Sequence, residues 1–318
     1  MRPIPQIKSP DNQMTRWPDS RAPSAIGREA RLELSFERRR GRTVLAHSYV
    51  EPPFRIGRCF ELDGAAYLIV VCTGAGVFAG DTLRQSVRVA GGARVVLTSQ
   101  SALQVHPAAA VAPAKIHHDY IVEDDAELRC HWDPVIPFAG ARLEQRFDLS
   151  LAESSRLYWS DALMAGRVSR GEAWRFESLA HQLRVRIGAA LAYLERYTLA
   201  PAGRAVAGPW VAGRARYLAT AIVHHDAATS DAAETLQGLA PLKRCPTYVS
   251  GSDRPACEPD SERPGPLDVG LGVDLIQSKT IVGRILAAEG APFAAARAAF
   301  HGLALHSIFG AAARVGRK

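Results

Sequence analysis

The sequence predicts a mainly β protein: many short strands in a large layered, β-helical-like sheet assembly, with about two α-helices in the C-terminal third. Three observations predict it. Apolar and polar residues alternate with a period of two in segment after segment. Turn residues such as Arg40-Gly41, Gly91-Gly92, Asp124-Asp125 and Gly188 separate those segments at close spacing. Helix signals come only late in the chain.

Residues 1–27, with Pro, Ser, Asp and Arg and little to bury, read as a flexible N-terminal tail, and 28–318 as one β-rich domain. From Ala30 the alternation is strict: Leu32, Leu34 and Phe36 face one way, Arg31, Glu33 and Ser35 the other. Thr43–Tyr49 alternates again after its turn, and Tyr67–Cys72 is an apolar strand. In the next strand Leu83, Val87 and Val89 oppose Thr82, Arg84 and Arg88. Strands are expected at 93–98, 116–122, 128–132, 144–149, 174–178, 183–187 and 191–197, and the 281–287 run leans towards strand. Asp231-Ala-Ala-Glu234 has the form of a capping box opening a short helix. Residues 243–268, dense in Pro, Ser, Asp and Gly, read as an exposed loop. Pro292 followed by an Ala-rich run predicts a helix over 292–309, ending near Gly310.

With 47% hydrophobic and 22% charged residues in 318, the chain can bury a real core, which excludes global disorder. A net charge of +7 favours acidic partners without choosing among protein, nucleic acid and anionic membrane. The five cysteines (59, 72, 130, 245 and 257) form no CxxC pair and read as reduced thiols. No apolar run has the length of a signal peptide or a membrane span. The expectation is a soluble, cytoplasmic protein with no membrane partner.

The segment TGAGVFAGDTL, residues 73–83, places Gly74, Gly76 and Gly80 in a form that imitates a dinucleotide loop. A true one opens a helix whose N-terminal amides hold the pyrophosphate; here alternation resumes at once, and no Lys-Ser/Thr follows. The three glycines therefore read as a structural turn that needs positive φ and close backbone packing. His117-His118, Cys130-His131 and His224-His225 invite a metal reading. Adjacent strand residues point to opposite faces, and no zinc-type spacing occurs, so these read as exposed, solvated histidines, with His117 and His131 on the polar face of neighbouring strands. No GxSxG, HExxH or kinase-like set is present, so no catalytic residue is assigned. The basic run Arg38–Arg42 reads as a solvated hairpin corner; nucleic-acid binding would want aromatics among more basic faces. Among carboxylates, Asp81 closes the glycine-rich turn, Asp161 follows Leu157-Tyr158-Trp159, and Glu195 shares a strand face with Tyr193 and Tyr197. A buried carboxylate needs a hydrogen-bond donor, an arginine or a cation.

The order of GAGVFAGDTL (74–83), GGARVVLTSQSA (91–102), PVIPFAGARLEQRFDL (134–149), GRVSRGEAWRF (166–176) and LERYTL (194–199) resembles the urease accessory protein UreD (UreH) family. The resemblance implies a β-rich fold with about two helices and a scaffold that is not an enzyme. It also implies assembly with UreF, the GTPase UreG and apo-urease, with nickel in transit and no tightly bound cofactor. Asp81, Asp161 and Glu195 match acidic positions of the family and are, on that ground, candidate transient nickel-channel carboxylates. The chain departs from the family pattern at Ala79, at Gln104-Val105-His106-Pro107 and in the basic ending Arg314–Lys318. The alternative is a divergent β-rich binding protein whose partner is another acidic protein or a nucleic acid.

Overall fold

In the computed structural model, the described residues are 27–107, 112–203, 206, 208, 212–239 and 269–310. The N-terminal tail before Gly27, the 243–268 loop and the ending at 314–318 lie outside them. The strands, in chain order, are β1 Glu29–Arg39, β2 Arg42–Val50, β3 Phe54–Ile56, β4 Phe60–Leu62, β5 Ala65–Cys72, β6 Thr82–Val89, β7 Arg94–Ser99, β8 Leu103–Val105 and β9 Ala114–Val122. They continue as β10 Glu127–His131, β11 Val135–Pro137, β12 Arg142–Leu151, β13 Arg156–Met164, β14 Ser178–Ile187, β15 Ala190–Leu199, β16 Tyr217–His224, β17 Val269–Ile276 and β18 Thr280–Ala287. The helices are α1 Ser230–Gln237 and α2 Gly290–Ser307.

Two sheets share these strands. The first runs β15-β14-β12-β9-β6-β1-β2, the second β17-β18-β16-β13-β10-β7-β5-β3, with β4, β8 and β11 at its margin. From β5 to β14 the long strands fall alternately in the two sheets, so the chain winds as a coil and its successive turns stack in parallel. That winding explains the period-two sequence signal. In the first sheet a strand lays one face on the opposite sheet and turns the other to solvent, as in β6, where Leu83, Val87 and Val89 are buried and Arg84, Ser86 and Arg88 exposed. Leu32, Phe36, Leu97, Leu128, Leu143 and Trp159 belong to the core formed by these faces.

A second core explains where alternation fades. Both helices pack on the outer face of the second sheet, against Ala219, Ala221, Val223, Ile281 and Ile285. Strands β16 and β18 are thus covered on both faces, so β16 reads as a nearly continuous apolar run that a period-two search passes over. Arg297 of α2 is buried and donates to the Trp132 carbonyl (2.8 Å) and to Ser160 Oγ (3.1 Å), tying the helix to the coil.

Three expectations are corrected. Residues 174–177 are not strand: Trp174 has φ +60° in a turn that follows the short 3-10 segment Val168–Arg170, and β14 begins only at Ser178. The N-cap of α1 is Thr229, whose side chain accepts from the Ala232 amide, so Asp231 falls inside the first turn. His117 and His131 are not on neighbouring strands, since β9 and β10 belong to different sheets. His117 faces outward, but His118 packs edge-on to Trp132, Phe147 and Trp159, and His131 lies beside His301 and Tyr158 under α2. His224 is buried and hydrogen-bonds Thr280.

Candidate functional site

Thr82–Val89, directly after the glycine-rich turn, is a strand, so no helix end is available there for a phosphate. The glycines are structural: Gly74, Gly76 and Gly80 have φ of +100°, +123° and +80°. At Gly76 a Cβ would stand 2.3 Å from the Gln104 carbonyl oxygen, because Val77 here bridges Val105. Asp81 pins the same turn. One carboxylate oxygen accepts from the Arg28 amide at 2.7 Å and the other from the Phe78 amide at 2.9 Å. Gln104–Pro107, the departure noted above, packs against this turn, with the His106 ring stacked on Phe78.

Inside, the register gathers polar side chains from strands far apart in sequence. On the second sheet Asp161 of β13 lies beside Thr220 of β16, which lies beside Arg284 of β18. On the first, Gln145, His181 and Tyr197 form a cross-strand row on β12, β14 and β15, and Glu195 is two residues before Tyr197. These two sets line one cavity of about 250 Å³ between the sheets. A second inter-sheet cavity, of about 230 Å³, reaches the backbone of Gly74–Gly76 and includes His118, Asp133 and Cys72. Gln145, Asp161 and Ala162 line both cavities, so Asp161 belongs to the wall they share.

The electrostatics follow from burial. Asp161 is pushed up to about 7, first by burial and then by the neighbouring Glu195 carboxylate. Glu195 Oε2 accepts from Tyr193 Oη (2.8 Å) and Thr220 Oγ1 (3.2 Å), and Arg284 stands 3.4 Å away. Burial, then the Glu195 charge, pushes the Tyr193 phenol up to about 12. His181 is 4% exposed, stacks on Tyr197 at 4.7 Å, and is held down to about 4 by burial; its Nε2 has no hydrogen-bond partner. In the other cavity burial lowers His118 to about 3. The interior thus offers imidazoles, hydroxyls, amides and carboxyls, with the Arg284 guanidinium among them. Among the described residues no three His, Cys, Asp or Glu side chains converge as a preformed metal site.

Of the three carboxylates singled out in the sequence, the structure brings Asp161 and Glu195 to one cavity and leaves Asp81 outside the lining of both. Sequence reasoning missed Gln145, His181, Thr220 and Arg284. For His181 a signal existed, since it interrupts the buried face made by Leu179, Leu183 and Val185. Nothing local marks Arg284, one arginine among many.

Fold and cavities together define a two-sheet β coil with cavities of mixed polar and apolar lining between the sheets. Residues 28–318 match the model of the UreD urease accessory protein family. The chain is 35% identical over 226 residues, 71% of each chain, to a protein named urease accessory protein UreD from Sorangium cellulosum. It is 33% identical to a "UreD 2" of Streptomyces griseus (61% of this chain, 68% of that one) and 26% identical to a UreH of Helicobacter hepaticus (58% and 73%). The chain belongs to the UreD urease accessory protein family. Among the described residues no helix is long and apolar enough to cross a membrane.

Proposed function

We propose that this chain serves urease maturation as a non-catalytic scaffold subunit, working with UreF, the GTPase UreG and apo-urease. Nickel is its cargo, passing between the two sheets by way of Asp161 and Glu195. The observation that carries this reading is that both inter-sheet cavities are lined by Asp161, whose carboxyl is raised above the ordinary carboxylate range by burial and by the Glu195 charge. A carboxyl poised in this way exchanges a proton for a cation at little cost. Oxygen donors with an occasional imidazole suit a divalent transition metal. Asp81, with both oxygens held by backbone amides, shapes the turn at the far end of the route.

The test is co-expression with urease subunits, UreF and UreG, reading urease nickel content and activity. Asp161→Ala with Glu195→Ala should leave the complex recoverable and the urease poor in nickel. Full nickel loading by the double variant would refute the route.

A second reading, binding of another acidic partner, draws on one feature. Arg31, Arg84, His117, Arg146, Gln182 and Arg196 fall in one register row across the outer face of the first sheet. Arg31, Arg84 and Arg146 are already paired with Glu51, Glu29 and Asp148, which weakens the row's pull. Steeply salt-dependent capture of nucleic acid or an acidic protein would favour this reading.

A further inference from the structure

Taking the passage as a cation route, which this step rests on, we infer that Arg284 is a cation placeholder. Its guanidinium fills the position that a divalent metal ion takes beside Glu195, and it swings into solvent when the ion arrives.

The Glu195 carboxylate is fixed and shielded. Its side chain is 11% exposed, and Tyr193 and Thr220 hydroxyls hold the oxygen that Arg284 approaches. Arg284 also donates to the Tyr193 hydroxyl at 2.7 Å, so one charged group closes the whole polar corner. The two hydroxyls can rotate their hydrogens away and offer lone pairs to a metal ion; the guanidinium has no lone pair to offer and can only leave.

It has room to leave. The Arg284 side chain is 55% exposed, and its neighbour on the edge strand β17 is Gly272, where a Cβ would find nothing within 4 Å. The carboxylate is thus anchored while its counter-ion is free to move over a bare stretch of backbone.

A second observation points to a ligand in the same chamber. His181 Nε2 is buried without a partner, although a lone buried polar atom is normally costly to keep. With the arginine in place, Glu195 has a counter-ion and the chamber is not a sink. With a divalent ion in place, like charge drives the arginine out, and its return helps to expel the ion.

The experiment is a nickel titration of the full-length chain, by calorimetry or equilibrium dialysis, comparing wild type with R284A, R284K, E195Q and R284A/E195Q. Removing a half-exposed competing cation should tighten nickel binding about five- to tenfold in R284A. R284K, which keeps the charge, should stay within about twofold of wild type, and R284A/E195Q should lose the gain. Unchanged, weaker or undetectable binding in R284A overturns the proposal, as does a gain that survives in R284A/E195Q. R284K keeps the comparison informative if R284A folds poorly: full recovery of the wild-type affinity supports the placeholder, and a gain equal to that expected of R284A overturns it. The route itself fails separately. A chain that shows the R284A gain, while Asp161→Ala with Glu195→Ala still loads urease fully, has the guarded site without the passage.

Discussion

Gly283→Ala tests how α2 is seated on the coil. Gly283 is buried in β18 without a positive φ, so alanine is sterically acceptable to the backbone itself. The obstacle is Phe300, 1% exposed, whose ring edge stands where the missing side chain would go: a Cβ would meet Cζ at 2.5 Å and Cε2 at 2.7 Å. Carbon atoms rest comfortably at about 3.5–4.0 Å, so the ring must retreat by about 1 Å inside the second core. Overpacking of this size costs about 1–3 kcal/mol, and each kcal/mol lowers the melting temperature by about 2–4 °C in a large domain. Gly272→Ala, in the neighbouring strand with open space around it, is the control and should be neutral or slightly stabilising. Thermal and urea unfolding of G283A, F300L and G283A/F300L complete the cycle. Leucine lacks the ring atoms that clash, so the double variant should be more stable than the sum of the single changes predicts. Additive losses, or a G283A as stable as G272A, would show that the helix does not sit on the sheet as described.

Two further outcomes follow from the turn and from the buried histidines. Gly76→Ala should destabilise far more than Gly74→Ala, because both have positive φ but only Gly76 abuts a carbonyl, at 2.3 Å; soluble yield and melting temperature read the difference. His301 and His181 are each lowered to about 4 by burial, so the native state binds fewer protons than the unfolded chain between that value and 6.5. Stability should therefore be complete above pH 6.5 and fall as pH drops towards 4, and His301→Phe should flatten that fall in urea titrations run across the range.

Much of the coil was legible because its physics is local. Where one face of a strand is buried and the other wet, the pattern enters the sequence with a period of two, as in Leu32, Leu34 and Phe36. The glycine-rich turn was legible for a similar reason: three glycines before a resumed alternation have few uses other than positive φ. The strand at 217–224 was not legible, because α2 and the first sheet cover it on both faces and erase the alternation. Residues 174–177 misled because Trp174 and Phe176 are aromatic for packing inside a turn, not for pleating.

The sequence by itself determined the fold class, the turn glycines and, through ordered motifs, the resemblance that the family model bears out. It singled out Asp161 and Glu195 as residues but could not say that they share a chamber. That was decided by strand register, which puts Asp161 beside Thr220 and Thr220 beside Arg284 although they lie on three strands separated by long stretches of chain. Register is set by how all the buried faces fit at once, and no short window of sequence contains that information. The same reason hides His181 and Arg284. Their meaning lies in what stands across the gap from them: a carboxylate that needs a counter-ion, and a space between two sheets that neither sheet encodes alone.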